Sequence, residues 1–301
     1  MIDATSPNAT IIRRATYASV AVATLLILIK LFGWWVTHSV SLQASLIDSL
    51  LDAFASFINM FAVAHALKPA DKEHRFGHGK AESLAALGQA VFIGGSSLWL
   101  LFEAREHFLH PHPLESSEVG LFVMGIAMAI ILILISYQGK VVRKTGSVAI
   151  AADRVHYQSD LLINIAVIIS LTSAEIFHIH ILDPLCGAAI GIYILWTAWK
   201  ITLHAFNVLM DRELEDEERA KILAIIKAHP EVVGVQDLRT RSSGLQQFIQ
   251  LRLLVRSDHL LSAAHTIAEG VEQEIIREYP NSQVMIRLIP SRNGKQAISK
   301  E

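Results

Sequence analysis

Long apolar runs alternate with short polar breaks over the first two thirds of the chain, and the pattern then turns polar. Six runs are long enough to cross a bilayer as helices, at about 16–37, 41–67, 81–109, 118–139, 149–177 and 181–208. The first holds Trp34 and Trp35 near its end, a pair suited to a membrane interface, and contains Lys30, which can snorkel or face polar neighbours and receives no role. The fourth carries no charge from Gly120 to Tyr137 and reads as scaffold. Trp196 and Trp199 stand near one end of the sixth, and Gly94, Gly95, Ser96 and Ser97 in the third permit close helix contact.

Beyond about residue 209 the periods are those of a small α/β unit. A helix from near Glu215 ends at His229–Pro230, and a strand follows at about 232–241. A turn at Ser242–Gly244 leads to a strand at about 245–255, a helix at 261–278 and a last strand at 283–289. The order αββαβ predicts a ferredoxin-like sheet with one face under two helices. The expected fold class is therefore an α-helical polytopic membrane protein with six transmembrane helices and a C-terminal cytoplasmic α+β domain. Expected boundaries are 1–208 for the transmembrane domain, 209–290 for the cytoplasmic domain and 291–301 for a disordered tail.

Composition agrees. Of 301 residues, 52% are hydrophobic and 18% charged, which fits a polytopic membrane protein better than a large soluble enzyme. A net charge of −2 gives no nucleic-acid signal. Cys186 is the single cysteine, so neither a disulfide framework nor a thiolate metal cluster is available. The polar N-terminal dozen residues and the long apolar run after them argue against a cleavable signal peptide.

Charge in the breaks sets the orientation. Arg13 and Arg14 precede the first span, Lys68, Lys72, Arg75 and Lys80 lie between the second and third, and Lys140, Arg143 and Lys144 between the fourth and fifth. The alternate breaks, around His38, 110–117 and 178–183, have no lysine or arginine. The positive-inside rule then puts both termini in the cytoplasm.

Two spans carry side chains that a bilayer disfavours. Asp48 and Asp52 are four residues apart in the second, and His156 and Asp160 are four apart in the fifth. That spacing puts each pair on one helix face, one turn apart. Each buried aspartate costs about 2.5–3.5 kcal/mol at mid-membrane, so three cost roughly 8–10 kcal/mol unless paired, protonated or bound to a cation. One such acid could be a protonated packing residue. Two matched pairs including a histidine favour a divalent metal such as zinc, with oxygen and imidazole donors at tetrahedral corners. No lysine or arginine within either span neutralises the acids; Arg154 lies toward the cytoplasmic end. An intramembrane metalloprotease would need H-E-x-x-H, which is absent. A membrane metal sensor would need a signalling module, and none follows the spans.

Six spans, D-x-x-x-D in the second, H-x-x-x-D in the fifth and a cytoplasmic α/β tail resemble the cation diffusion facilitator family, and most of all its bacterial zinc and iron exporter branch. HRFGHGKAE (His74–Glu82) and LMDRELE (Leu209–Glu215) strengthen the likeness, which spans about 13–290. The resemblance implies a homodimer in the inner (plasma) membrane that exchanges cytoplasmic metal for protons by alternating access. It implies one transport site per protomer, from Asp48, Asp52, His156 and Asp160, with zinc bound there and no other cofactor. Zinc is the favoured ion, with iron, cadmium and manganese as alternatives. His156 is the expected proton-coupling group, because a ligating imidazole must shed its proton.

In the loop, Asp71, His74 and His78 stand in D-x-x-H-x-x-x-H spacing, and the resemblance implies a second metal site there; the neighbouring Glu73 could add an oxygen donor. It pairs Lys80 with Asp211 as a charge interlock between membrane and cytoplasmic domains. It also exposes a departure. At the branch's cytoplasmic zinc ligands this chain has Gln236, Arg252, Arg287 and Ile289, with only His265 matching. An arginine offers no lone pair, so neither is a ligand. Alternation along FIQLRLLV turns Arg252 away from the apolar layer. The tail is expected to dimerise without metal, its guanidinium groups pairing with carboxylates. His107, His110, His112, His178 and His180 on the outer side are read as solvated.

Overall fold

A computed structural model describes residues 7–37, 40–109, 118–177 and 182–291. Six long helices come first: α1 (Pro7–Thr37), α2 (Val40–Ala66), α3 (Lys80–Leu109), α4 (Glu118–Thr145), α5 (Val148–Phe177) and α6 (Leu182–Leu209). Then follow α7 (Asp216–Ala228), β1 (Gly234–Ser243), β2 (Gln246–Arg256), α8 (Leu261–Glu278) and β3 (Ser282–Ser291). The architecture is the expected one, a helical membrane domain followed by αββαβ. Residues 292–301 and His110, His112, His178 and His180 lie outside the described residues, as does the side chain of His107.

By packing, the described chain divides into two units: Pro7–Leu67 with Ala81–Phe206, and Lys68–Lys80 with Asn207 onward. The expected boundary at 208/209 falls at the end of α6, but the loop 68–80 packs with the C-terminal elements.

In the helical unit, α1, α2, α3, α4 and α6 are long and apolar enough to span a membrane. The remaining long helix, α5, carries Asp153, Arg154, His156 and Asp160 in its first half. Small residues line the contacts: Ala86, Ala90, Ala152 and Ala205 form one buried cluster, and Ile93, Ile194 and Ala198 another. Small side chains let backbones approach closely, which is how helices associate where lipid removes the hydrophobic driving force. Ser97 of the small-residue stretch in α3 donates to the Gly191 carbonyl of α6 at 2.5 Å. Large apolar side chains such as Leu28, Phe32, Trp99, Phe122 and Ile133 are exposed, an outer surface suited to acyl chains. Buried Glu82 of α3 accepts from the Ser147 hydroxyl and from Ala149 N–H, so a carboxylate caps the N-terminus of α5.

In the second unit, β1 pairs antiparallel with β2, and β2 pairs parallel with β3 through the α8 crossover. Ile249, Leu251, Leu253 and Val255 of β2 face Ile222 and Ile226 of α7 and Ile267, Val271 and Ile275 of α8. A bulge between Gln236 and Arg239 carries Asp237 at φ 50, and Gly244 at φ 58 makes the β1–β2 turn. The loop 68–80 lies against this sheet so closely that a Cβ on Gly79 would enter the Ser243 backbone carbonyl.

Candidate metal centres

Two clusters of metal-ligating side chains occur among the described residues, one in each unit. The first joins α2 and α5. The four-residue helical repeat turns His156 and Asp160 to one side of α5, and Asp52 meets them from α2. His156 Nε2 lies 2.9 Å from Asp52 Oδ1 and 3.9 Å from Asp160 Oδ2, and one ligand atom from each of the three lies within 4.8 Å of the others. The imidazole is buried and the carboxylates half-buried. Tyr157 braces the helix beside it: its hydroxyl meets Ser56 Oγ of α2 at 3.0 Å and the Ser19 carbonyl of α1 at 3.3 Å. Two carboxylates around one imidazole form a group that either protons or a dication can neutralise.

Asp48 does not join this cluster; it is exposed, one turn away on α2. Neither span of the acids supplies a neutralising cation of its own, but a neighbouring helix brings one to α2. Lys30 of α1 reaches α2, where its Nζ donates to Ser49 Oγ at 2.6 Å and to the Ser45 carbonyl at 3.1 Å. It therefore sits against the turn of α2 that holds Asp48. Asp153 was also missed. It is fully buried three residues before His156, with partners on three other helices.

The second cluster lies in the loop. Asp71 accepts the backbone N–H groups of His74 at 2.6 Å and Glu73 at 2.9 Å, closing an Asx turn. Those bonds, the His74 N–H foremost, hold its carboxyl below the usual carboxylate range, and the two histidines add to the effect. His78 Nε2 lies 3.2 Å from Asp71 Oδ2 and His74 Nδ1 3.5 Å from Oδ1. His78 is buried, while Asp71 and His74 are open to solvent. Glu73 contributes its N–H, and its carboxylate is not in the cluster.

The same unit brings Lys80 Nζ to 2.9 Å from Asp211 Oδ1, and also lets it donate to the Leu209 carbonyl at 3.1 Å. Sequence reasoning did not single out Arg241, which donates to Asp211 Oδ2 at 3.1 Å. Its guanidinium also lies 5.0 Å from the Phe76 ring centroid and 4.8 Å from that of Phe248. On the sheet, Gln236, Arg252 and Arg287 are register partners in one row across the three strands, while Ile289 pairs with Leu254. Arg252 Nη2 meets Asp237 Oδ2 at 3.3 Å, and His265 meets Glu269 at 3.2 Å.

Residues 16–210 match the cation efflux transmembrane domain, and 214–291 match the cytoplasmic domain of cation efflux proteins. The chain belongs to the cation efflux family. Its relatives include the cation-efflux pump FieF of Klebsiella pneumoniae, 47% identical over 281 residues and 93% of each chain. The pump of the same name from Citrobacter koseri is 46% identical over 290 residues, 95% of this chain and 96% of that one. The Shigella flexneri protein is 44% identical over 292 residues, 96% and 97% respectively. This member of the cation efflux family is a transporter and not an enzyme, a multi-pass membrane protein with a cytoplasmic C-terminal domain.

Proposed function

We propose that the chain exports a divalent transition cation, zinc first, across the inner (plasma) membrane by exchange for protons with alternating access. The observation that carries this reading is the convergence of Asp52, His156 and Asp160 from two helices of an apolar bundle. Asp48, one turn earlier on α2, is the fourth ligand in this reading. Oxygen and imidazole donors in a four-fold set suit zinc better than manganese, which prefers oxygen alone. Moving a dication outward against 100 mV costs about 4.6 kcal/mol, and each proton moving inward offsets half of that. His156 must be neutral to ligate, so proton and metal compete for it.

Asp71, His74 and His78 form an accessory metal site on the cytoplasmic side in this reading, and both termini are cytoplasmic. The cytoplasmic domain makes a homodimer, and Lys80 with Asp211 ties the loop to it as a structural interlock. Arg252, with its carboxylate partner Asp237, and Arg287 put positive charge on the open sheet face, so this dimer needs no metal. Chelator is expected to leave the oligomeric state of the purified protein unchanged.

The test is metal flux in proteoliposomes over zinc, iron(II), cadmium and manganese at two pH values. Zinc is expected to be fastest, with a rate that responds to an imposed pH gradient. In His156→Asp the preference for zinc over manganese is expected to fall. Flux of manganese ahead of zinc in the parent would overturn the assignment.

A further inference from the structure

Asp153 of α5 is a fully buried acid outside both metal clusters. Asp153 Oδ2 accepts from Ser19 Oγ of α1 at 2.6 Å and from Gln138 Nε2 of α4 at 2.7 Å, and Oδ1 accepts from Gln89 Nε2 of α3 at 3.1 Å. Asp153 and Gln138 are 0% exposed, Ser19 1% and Gln89 7%. Three neutral donors converge on a carboxyl in the middle of a helix bundle, and among the described residues no ion pair reaches it. Its neighbour Arg154 instead lays its guanidinium over Gly139 of α4. The ionisable groups whose charge reaches Asp153 are His156 and Tyr157, both on α5; α1, α3 and α4 bring Ser19, Gln89 and Gln138, which do not titrate.

The cluster can serve either protonation state without moving its backbone. With Asp153 ionised, all three donors point at it. With Asp153 protonated, its O–H can donate to Ser19 Oγ, because the Ser19 hydroxyl has a second acceptor, the Ala15 carbonyl at 3.1 Å. The Oε1 atoms of Gln89 and Gln138 are buried and have no hydrogen-bond partner, so either amide can turn over and accept the carboxyl proton. A purely structural anchor would present one fixed pattern of donors. This one is ambivalent at three of its partners.

We propose that Asp153 is a proton-carrying group of the transport cycle, separate from the metal ligands and coupled to them along α5. The inference rests on the metal/proton exchange reading. Asp153 is three residues from His156, close to one helical turn, and no hydrogen bond joins the two. A dication held at Asp52, His156 and Asp160 favours the carboxylate: at an effective dielectric near 20 and about 6 Å, the effect is several powers of ten in proton affinity. When the metal arrives from the cytoplasm, the carboxylic acid gives one proton to cytoplasmic water and becomes the carboxylate. When the metal leaves outward, the carboxylate takes one proton from the outer side. Each cycle then exchanges one of the dication's two charges for a proton at Asp153.

The experiment measures zinc and proton fluxes together in proteoliposomes of the full chain, for the parent, Asp153→Asn and Gln89→Met, with size-exclusion profiles as the folding check. The amide oxygens of Gln89 and Gln138 can turn toward the new amide, so Asp153→Asn is expected to fold. It should still move zinc, more slowly, with one proton fewer per zinc and a flatter dependence of rate on pH. Gln89→Met removes a donor that favours the ionised form, and should move the pH midpoint of transport up by about one unit. If Asp153→Asn keeps the parent's proton count and pH profile, the proposal is wrong. If Asp153→Asn does not fold, an unshifted midpoint in Gln89→Met overturns it equally. A parent that moves zinc with no proton counterflow would instead overturn the exchange reading itself.

Discussion

His156 Nε2 and Asp52 Oδ1 lie 2.9 Å apart although 104 residues separate them in the chain. That contact sews α5 to α2, and Asp160 completes it from one turn further along. A polar contact of this kind inside an apolar bundle is costly to assemble, which is why such groups mark function in membrane helices. Helical period sets which side chains share a face; the Tyr157 hydroxyl ties α5 to α2 at Ser56 and to α1 at the Ser19 carbonyl.

Lys30 tests the electrostatics of this region. Its ammonium group is fixed to Ser49 and Ser45 on the helix that carries Asp48 and Asp52. A positive charge there opposes an arriving dication. Lys30→Met is expected to lower the zinc concentration for half-maximal transport by about tenfold, a little over 1 kcal/mol. An unchanged half-saturation point would reduce Lys30 to a packing residue.

Gly79 tests the docking of the loop. Any Cβ there would overlap the Ser243 carbonyl, which belongs to the backbone and cannot swing aside. Gly79→Ala is expected to cost about 1–3 kcal/mol and to speed tryptic cleavage at Lys72 and Arg75. Cleavage at the parent's rate would mean the loop does not depend on that contact.

Asp211 gives a dependence on pH. Partial burial pushes its carboxyl up, but the hydrogen bond from Lys80 and the charge and hydrogen bond of Arg241 outweigh this and hold it below the ordinary value. A depressed carboxylate contributes stability that is present above its unfolded pKa and lost as pH falls through the folded one. In calorimetry, the Tm deficit of Asp211→Asn should be present at pH 7, shrink as pH falls below about 4 and close once pH has passed the depressed folded pKa. Because the pair is partly exposed, the deficit should correspond to no more than about 1 kcal/mol. A deficit that does not shrink as pH falls below about 4 would trace it to packing rather than charge.

Much of this was legible in the sequence because it follows from local period. Six apolar runs, the αββαβ order and the outward turn of Arg252 need only helix and strand repeats, and the pairing of Asp48 with Asp52 and of His156 with Asp160 needs only 3.6 residues per turn. Asp153 was not legible. It sits beside the histidine in the sequence, but its partners Ser19, Gln89 and Gln138 come from three other helices and nothing local announces them. Lys30 was visible as a residue that snorkels or faces polar neighbours, but its acceptors lie on α2 and were not legible. Asp48 shares a face of α2 with Asp52 yet stays outside the cluster, because a shared face does not fix which turn of α2 meets α5. The attachment of loop 68–80 to the C-terminal unit rests on contacts such as Phe76 with Phe248, far apart in the chain.

The central claim is that the α2–α5 cluster carries the exported metal, and Asp160→Ala in proteoliposomes tests it most directly. Zinc flux should fall to that of empty vesicles while the protein keeps the parent's size-exclusion profile, because removing a half-buried acid from a membrane helix relieves a desolvation cost instead of opening the core. Zinc flux at the parent's rate from well-folded Asp160→Ala would contradict the account.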